Sequence, residues 1–126
     1  MLLENFYEIK RIEESEGKII AEITLNSKHD IYNGHFPGNP VVPGVCLITI
    51  TKELLEEVLG QTLQLSEAGN IKFLGVINPE LQKQLNIELD ILENENGSLK
   101  AKSQITANGQ ICFKATGLFN YGAVLK

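Results

Sequence analysis

Pro37, Pro40 and Pro43 are three of the four prolines in the chain, and they fall within seven residues, with Gly34, Gly38 and Gly44 in or beside the same segment. Proline fixes φ, removes a backbone donor and pushes the residue before it toward extended geometry, while glycine opens φ values that other residues avoid. The run Gly34-His35-Phe36-Pro37-Gly38-Asn39-Pro40-Val41-Val42-Pro43-Gly44 therefore excludes both helix and central strand and reads as a shaped loop. A helix follows it. Proline is at home at a helix start and glycine past its end, so the Pro43-Gly44 step and Gly60 bracket a helix over residues 44–59. Val45, Leu47, Ile48, Leu54, Leu55, Val58 and Leu59 give it a broad apolar face, and Thr49, Lys52, Glu53 and Glu56 a polar stripe.

The remainder alternates with period two. Ile19, Ala21, Ile23 and Leu25 share one face of a strand over 18–25, paired through a turn at Ser15-Glu16-Gly17 with a strand over 7–13. Downstream, a strand over 69–76 precedes Leu85, Ile87, Leu89 and Ile91, a turn at 94–97, and then Leu99, Ala101, Ser103 and Ile105. After a second turn at Ala107-Asn108-Gly109, the set Ile111, Phe113, Ala115 and Phe119 completes an antiparallel meander. One helix entered from a Pro/Gly loop and followed by four strands predicts an α+β fold, an antiparallel curved sheet wrapped around one central helix.

At 126 residues the chain is one domain, 1–126, and 43% hydrophobic content argues against wholesale disorder. No stretch approaches the roughly 20 apolar residues of a membrane span, and the start lacks an apolar signal core, so a soluble, cytoplasmic protein is expected. A net charge of −5 with scattered basic residues excludes a general nucleic-acid binder. Cys46 and Cys112 read as small buried apolar residues, since no disulfide framework or zinc spacing surrounds them. No metal-ligand spacing and no Gly-rich phosphate loop of the Walker or Rossmann type occurs, so neither metal nor nucleotide cofactor is expected.

The loop sequence resembles that of the hot-dog-fold β-hydroxyacyl-acyl-carrier-protein dehydratases, whose signature G-H-F-P-x-x-P-x-x-P-G-V precedes a central helix. All its specified positions match Gly34 to Val45, and Asn70-Ile71-Lys72-Phe73 and Ile77-Asn78-Pro79 are similar to the family's strand after the helix. The resemblance implies a hot-dog fold and an acyl thioester substrate carried on the phosphopantetheine of acyl carrier protein or coenzyme A, in fatty-acid, lipid or polyketide-type synthesis. Removing water from a 3-hydroxyacyl thioester needs a base for the α-proton, an acid for the departing hydroxyl and donors for charge on the thioester oxygen. By this resemblance His35 is the base, suited by an ordinary pKa near ~6.5. Gly44 and Val45 offer backbone N–H groups at the positive end of the helix, and Phe36 joins them in substrate binding. His29 lacks such a setting and is expected at the surface.

Fourteen residues after His35, where the family carries its catalytic Glu or Asp, this chain has Thr49. A threonine hydroxyl is a poor proton donor, so a catalytically impaired homologue that binds carrier protein or serves as a partner subunit is one alternative. Glu53, one helical turn further, is a second source of the carboxylate, although Lys52, Glu53, Glu56 and Glu57 also read as a solvated face. Water held by Thr49 is a further one. In the family the site lies between two protomers, so a heterodimer with a complete homologue would give His35 its acid, while a homodimer with one continuous sheet is the default expectation. Thioester hydrolysis on the same fold is the remaining enzymatic alternative. Acyl carrier proteins are mostly acidic, so docking one demands a local basic patch; Lys10, Arg11, Lys72 and Lys83 are available.

Overall fold

The computed structural model describes residues 5–34 and 38–121. Strands β1 (Tyr7–Ser15) and β2 (Lys18–Leu25) lead through a 3-10 turn, Asp30–Asn33, into the helix α1 (Gly44–Leu59). Then come β3 (Leu63–Phe73), β4 (Gln84–Glu95), β5 (Ser98–Ala107) and β6 (Gln110–Tyr121). The six strands form one antiparallel sheet in the order β1-β2-β4-β5-β6-β3, so β1 and β3 are its edges. Among the described residues this is the predicted arrangement of one α-helix and a curved antiparallel sheet.

Three tight turns set the register with the same backbone device. Glu16-Gly17, Asn96-Gly97 and Asn108-Gly109 each place two successive residues at positive φ, which matches the right-handed twist of the strands they join. The inner face of the sheet then follows from alternation. Ile19, Ala21, Ile23, Leu85, Ile87, Leu89, Leu99, Ala101 and Ile105 are all buried, and they pack on Cys46, Leu47, Ile50, Leu54 and Leu55 of α1. Each large side chain so enclosed contributes about 1.5–3 kcal/mol. Gly60 ends α1 in the left-handed conformation at φ 65°, its N–H donating to the Glu56 carbonyl at 2.8 Å.

Two strands depart from the sequence reading because bulges interrupt the period. The strand expected over 69–76 begins at Leu63 and ends at Phe73. Extra residues at Ser66 and at Asn70-Ile71, where the ladder with β6 shifts, break the alternation that a regular strand would show. In β6 a shift opposite Ile105 and Thr106 leaves Ile111 39% exposed and buries Cys112 instead. Both cysteines are free and buried. A short 3-10 turn joins the single predicted helix: His29 caps it, accepting the Ile31 N–H on Nδ1 at 3.0 Å. His29 is thus half-buried and edge-on to Phe6, with ring centroids 5.3 Å apart, rather than a free surface residue.

Candidate active site

His35 and Phe36, with Pro37, lie outside the described residues, so the site is built from its flanks and from the helix beneath. Before the loop, Tyr32 is buried and stacks on Phe6 at 5.8 Å. After it, Pro40 and Pro43 are buried and the Val42 N–H donates to the Ile77 carbonyl at 2.9 Å. Ile77 is itself 1% exposed. Both ends of the loop are therefore held by the core, the condition for keeping a side chain between them in one place.

Pro43 is the N-cap of α1; among the described residues no side chain caps the helix start and no acidic residue stands in the first turn. Among those residues nothing compensates the positive end of the helix, where negative charge is favoured. Gly44 has a further reason to be glycine. A Cβ there would lie 2.7 Å from two atoms of the Phe73 ring, so the aromatic ring rests directly on the first residue of the helix. Phe73 in turn packs on Phe113 at 5.4 Å. Val45, beside it, is 67% exposed. Below the helix start, Ile48, Leu65, Ala68, Phe113 and Phe119 line an apolar crevice between α1 and the β3 side of the sheet.

Thr49 is half-buried, one turn along the helix, and its Oγ1 donates to the Val45 carbonyl at 2.9 Å. Its proton is committed to the backbone. Glu53 is not part of a solvated face: it is 1% exposed, and its Oε1 accepts the Tyr7 hydroxyl at 2.9 Å. Burial, reinforced by that hydrogen bond and the Glu53 charge, holds the Tyr7 phenol far above its ordinary range. The polar stripe is thus reduced to its neighbours. Lys52 pairs with Glu56 at 3.0 Å, and Glu56 also accepts the Leu63 N–H at 2.8 Å, tying the helix end to β3.

The basic residues singled out in the sequence do not assemble. Lys10 and Arg11 lie on edge strand β1, paired with Glu8 and Glu13, whereas Lys72 lies on the opposite edge, β3, and Lys83 precedes β4. Among the described residues no group of three or more His, Cys, Asp or Glu is placed to hold a metal ion. No helix there is long and apolar enough to cross a membrane.

One helix in the palm of an antiparallel sheet, entered from a Pro/Gly loop that is anchored on both sides of a histidine, defines a hot-dog protein of the dehydratase kind. The family model described as ApeI dehydratase matches residues 11–113, and the chain belongs to this ApeI-like family. It is 29% identical over 112 residues, 83% of this chain and 79% of the relative, to the 3-hydroxyacyl-[acyl-carrier-protein] dehydratase FabZ of Oenococcus oeni. To the enzyme of that name from Ligilactobacillus salivarius it is 31% identical over 102 residues, covering 74% and 73% of the two chains. In fold it is similar to a chain of the dehydratase heterocomplex ApeI:P from Xenorhabdus doucetiae, with TM-score 0.73, 17% identity and 90% and 96% of the chains covered. A hypothetical thioesterase with coenzyme A from Streptococcus pneumoniae TIGR4 also shares it, with TM-score 0.66, 16% identity and coverage of 95% and 88%.

Proposed function

We propose that the protein dehydrates 3-hydroxyacyl thioesters, reversibly, at a site completed by a second hot-dog subunit. His35 removes the α-proton, and the N–H groups of Gly44 and Val45 receive the charge that builds on the thioester oxygen. The acyl chain lies along the exposed apolar side chains of Val45 and Phe73 beside the helix start. One observation carries the cross-subunit reading: the Thr49 hydroxyl at the family's acid position donates to the Val45 carbonyl, so this helix position supplies no proton. The acid comes instead from a homologue joined along the open edge of β3, where Leu65 and Phe73 are 38% and 57% exposed. A homodimer would bring a second Thr49, whereas a heterodimer with a carboxylate-bearing homologue completes the constellation around His35. That ApeI:P is a heterocomplex of this fold supports it.

A second reading keeps the acid within this chain, at Glu53, against its 1% exposure and its hydrogen bond from Tyr7 of β1. Turnover of a 3-hydroxyacyl thioester, on acyl carrier protein or coenzyme A, separates the two. Activity that requires a carboxylate-bearing homologue and survives Glu53→Gln supports the first; activity of the protein alone, lost in Glu53→Gln, supports the second. His35→Ala should abolish either. Release of free thiol with the hydroxyl retained would identify a thioesterase instead.

A further inference from the structure

The outer face of the sheet, opposite the helix, carries three lysines on three adjacent strands. Lys72 of β3 and Lys114 of β6 are direct cross-strand partners, and Lys102 of β5 is opposite Thr116, two residues from Lys114 on the same face. Together with Asn70 and Thr116 they line one shallow depression. Opposed residues on one face have Cβ atoms about 4.5–5.5 Å apart, and like charges so placed are destabilising. Lys10, Arg11, Lys18 and Lys52 each have a carboxylate within ion-pair distance; among the described residues, Lys72, Lys102 and Lys114 have none. Asp90 is the cross-strand partner of Lys102, but its carboxylate is drawn to Lys18 at 3.6 Å.

A chain with 16 acidic and 11 basic residues has carboxylates to spare for these positions. The cluster also depends on a backbone irregularity. The β3 ladder runs from Gly69 opposite Thr116 to Lys72 opposite Lys114, with Asn70 and Ile71 together facing one residue, and Asn70 adopts a positive φ of 51°. Without that bulge Lys72 would oppose the buried Phe113 and face inward. The bulge therefore puts Lys72 outside with the other lysines and, one residue on, Phe73 inside on Gly44.

We infer that the Lys72, Lys102 and Lys114 face is the docking surface for the acidic carrier protein that presents the acyl thioester. The register puts the Cβ atoms of cross-strand and diagonal neighbours within about one Debye length (~8 Å at physiological salt), so the three unpaired lysines act on an approaching polyanion as a unit. The patch and the helix start lie on opposite faces of the same end of β3, which brings a docked carrier to the edge where the thioester must enter. This rests on the reading that the substrate is carrier-borne.

The test is charge reversal in the assembled, active form: Lys72→Glu, Lys102→Glu and Lys114→Glu singly and together, with exposed Lys28→Glu as the net-charge control and the Gln series as milder variants. Binding of a 3-hydroxyacyl-loaded bacterial acyl carrier protein is measured at low and high salt. Turnover is compared for the same acyl group on carrier protein, on coenzyme A and on a short pantetheine thiol. The triple variant should weaken carrier binding and raise its KM by roughly tenfold or more, lose most of its salt dependence, and leave kcat and both carrier-free substrates within about twofold. Unchanged carrier binding and KM would overturn the inference. So would an equal loss with coenzyme A thioesters, which would make the lysines a phosphate site. If no substrate turns over, the dehydratase reading fails while the binding arm still decides the docking surface.

Discussion

The Tyr7 hydroxyl donates to Oε1 of Glu53 at 2.9 Å, joining the first strand to the middle of the helix across 46 residues of sequence. A carboxyl buried to 1% exposure is costly without hydrogen-bond donors, so the phenol is part of what makes Glu53 tolerable inside the fold.

Tyr7→Phe removes that donor and should cost about 1.5–3 kcal/mol of stability, read as a lower midpoint in urea with an unchanged slope. Glu53→Gln keeps an acceptor and should cost less. The pH dependence follows from the phenol's raised pKa. An unfolded tyrosine titrates near ~10, whereas the folded Tyr7 keeps its proton to higher pH, so above that point the unfolded state binds fewer protons and stability falls as pH rises. The contribution is complete below about pH 10 and falls progressively as pH rises above it toward the folded group's own titration. Thermal unfolding should show that alkaline slope in the wild type and a shallower one in Tyr7→Phe; identical slopes would contradict the assignment.

Tyr32 offers the opposite case. Its hydroxyl is buried with no hydrogen-bond partner among the described residues. Tyr32→Phe keeps the stack on Phe6 and removes an unsatisfied group, so stability should be unchanged or higher by about 1 kcal/mol. A loss of more than that would mean the hydroxyl is satisfied in solution.

Gly44→Ala would press a Cβ to 2.7 Å from the Phe73 ring. Overpacking of this kind costs about 1–3 kcal/mol. Because the opposing atoms belong to one side chain, the cost should largely vanish in a Phe73→Ala background. A double-mutant cycle checks this, and additive effects would show that the ring does not limit the site.

Thr49→Glu returns a carboxyl to the position the family uses. On the proposed cross-subunit reading a homodimer would then carry its own acid, and a well-placed general acid is worth roughly 10²–10⁴-fold. Dehydration by the protein alone should therefore rise by at least tenfold, whereas no gain, from folded protein of the same oligomeric state, would argue that another group already fills the role.

The helix was legible to the residue because Pro43 and Gly60 punctuate it, and the β4 to β6 meander because its turns are Asn-Gly steps between alternating runs. The solvated-face reading of Glu53 fails for a physical reason: Lys52, Glu56 and Glu57 beside it are solvated or paired at the surface, and its strand partner Tyr7 is remote in sequence. The lysine face was hidden by the bulge at Asn70, since strict alternation would have turned Lys72 inward. Phe73 gave only a partial signal, as the aromatic of the Lys-Phe step; its contact with Gly44 needs the tertiary fold.

Strand β3 holds more residues than the stretch of β6 it covers, the surplus being taken up at Ser66 and at Asn70-Ile71. Such bulges coil and bend a strand. An open edge bearing Leu65 and Phe73 would, if flat, be a template for indefinite sheet growth and aggregation. Bent at two points, it fits only a neighbour with matching curvature, so assembly along this edge should stop at a closed pair of subunits and not run on into fibrils.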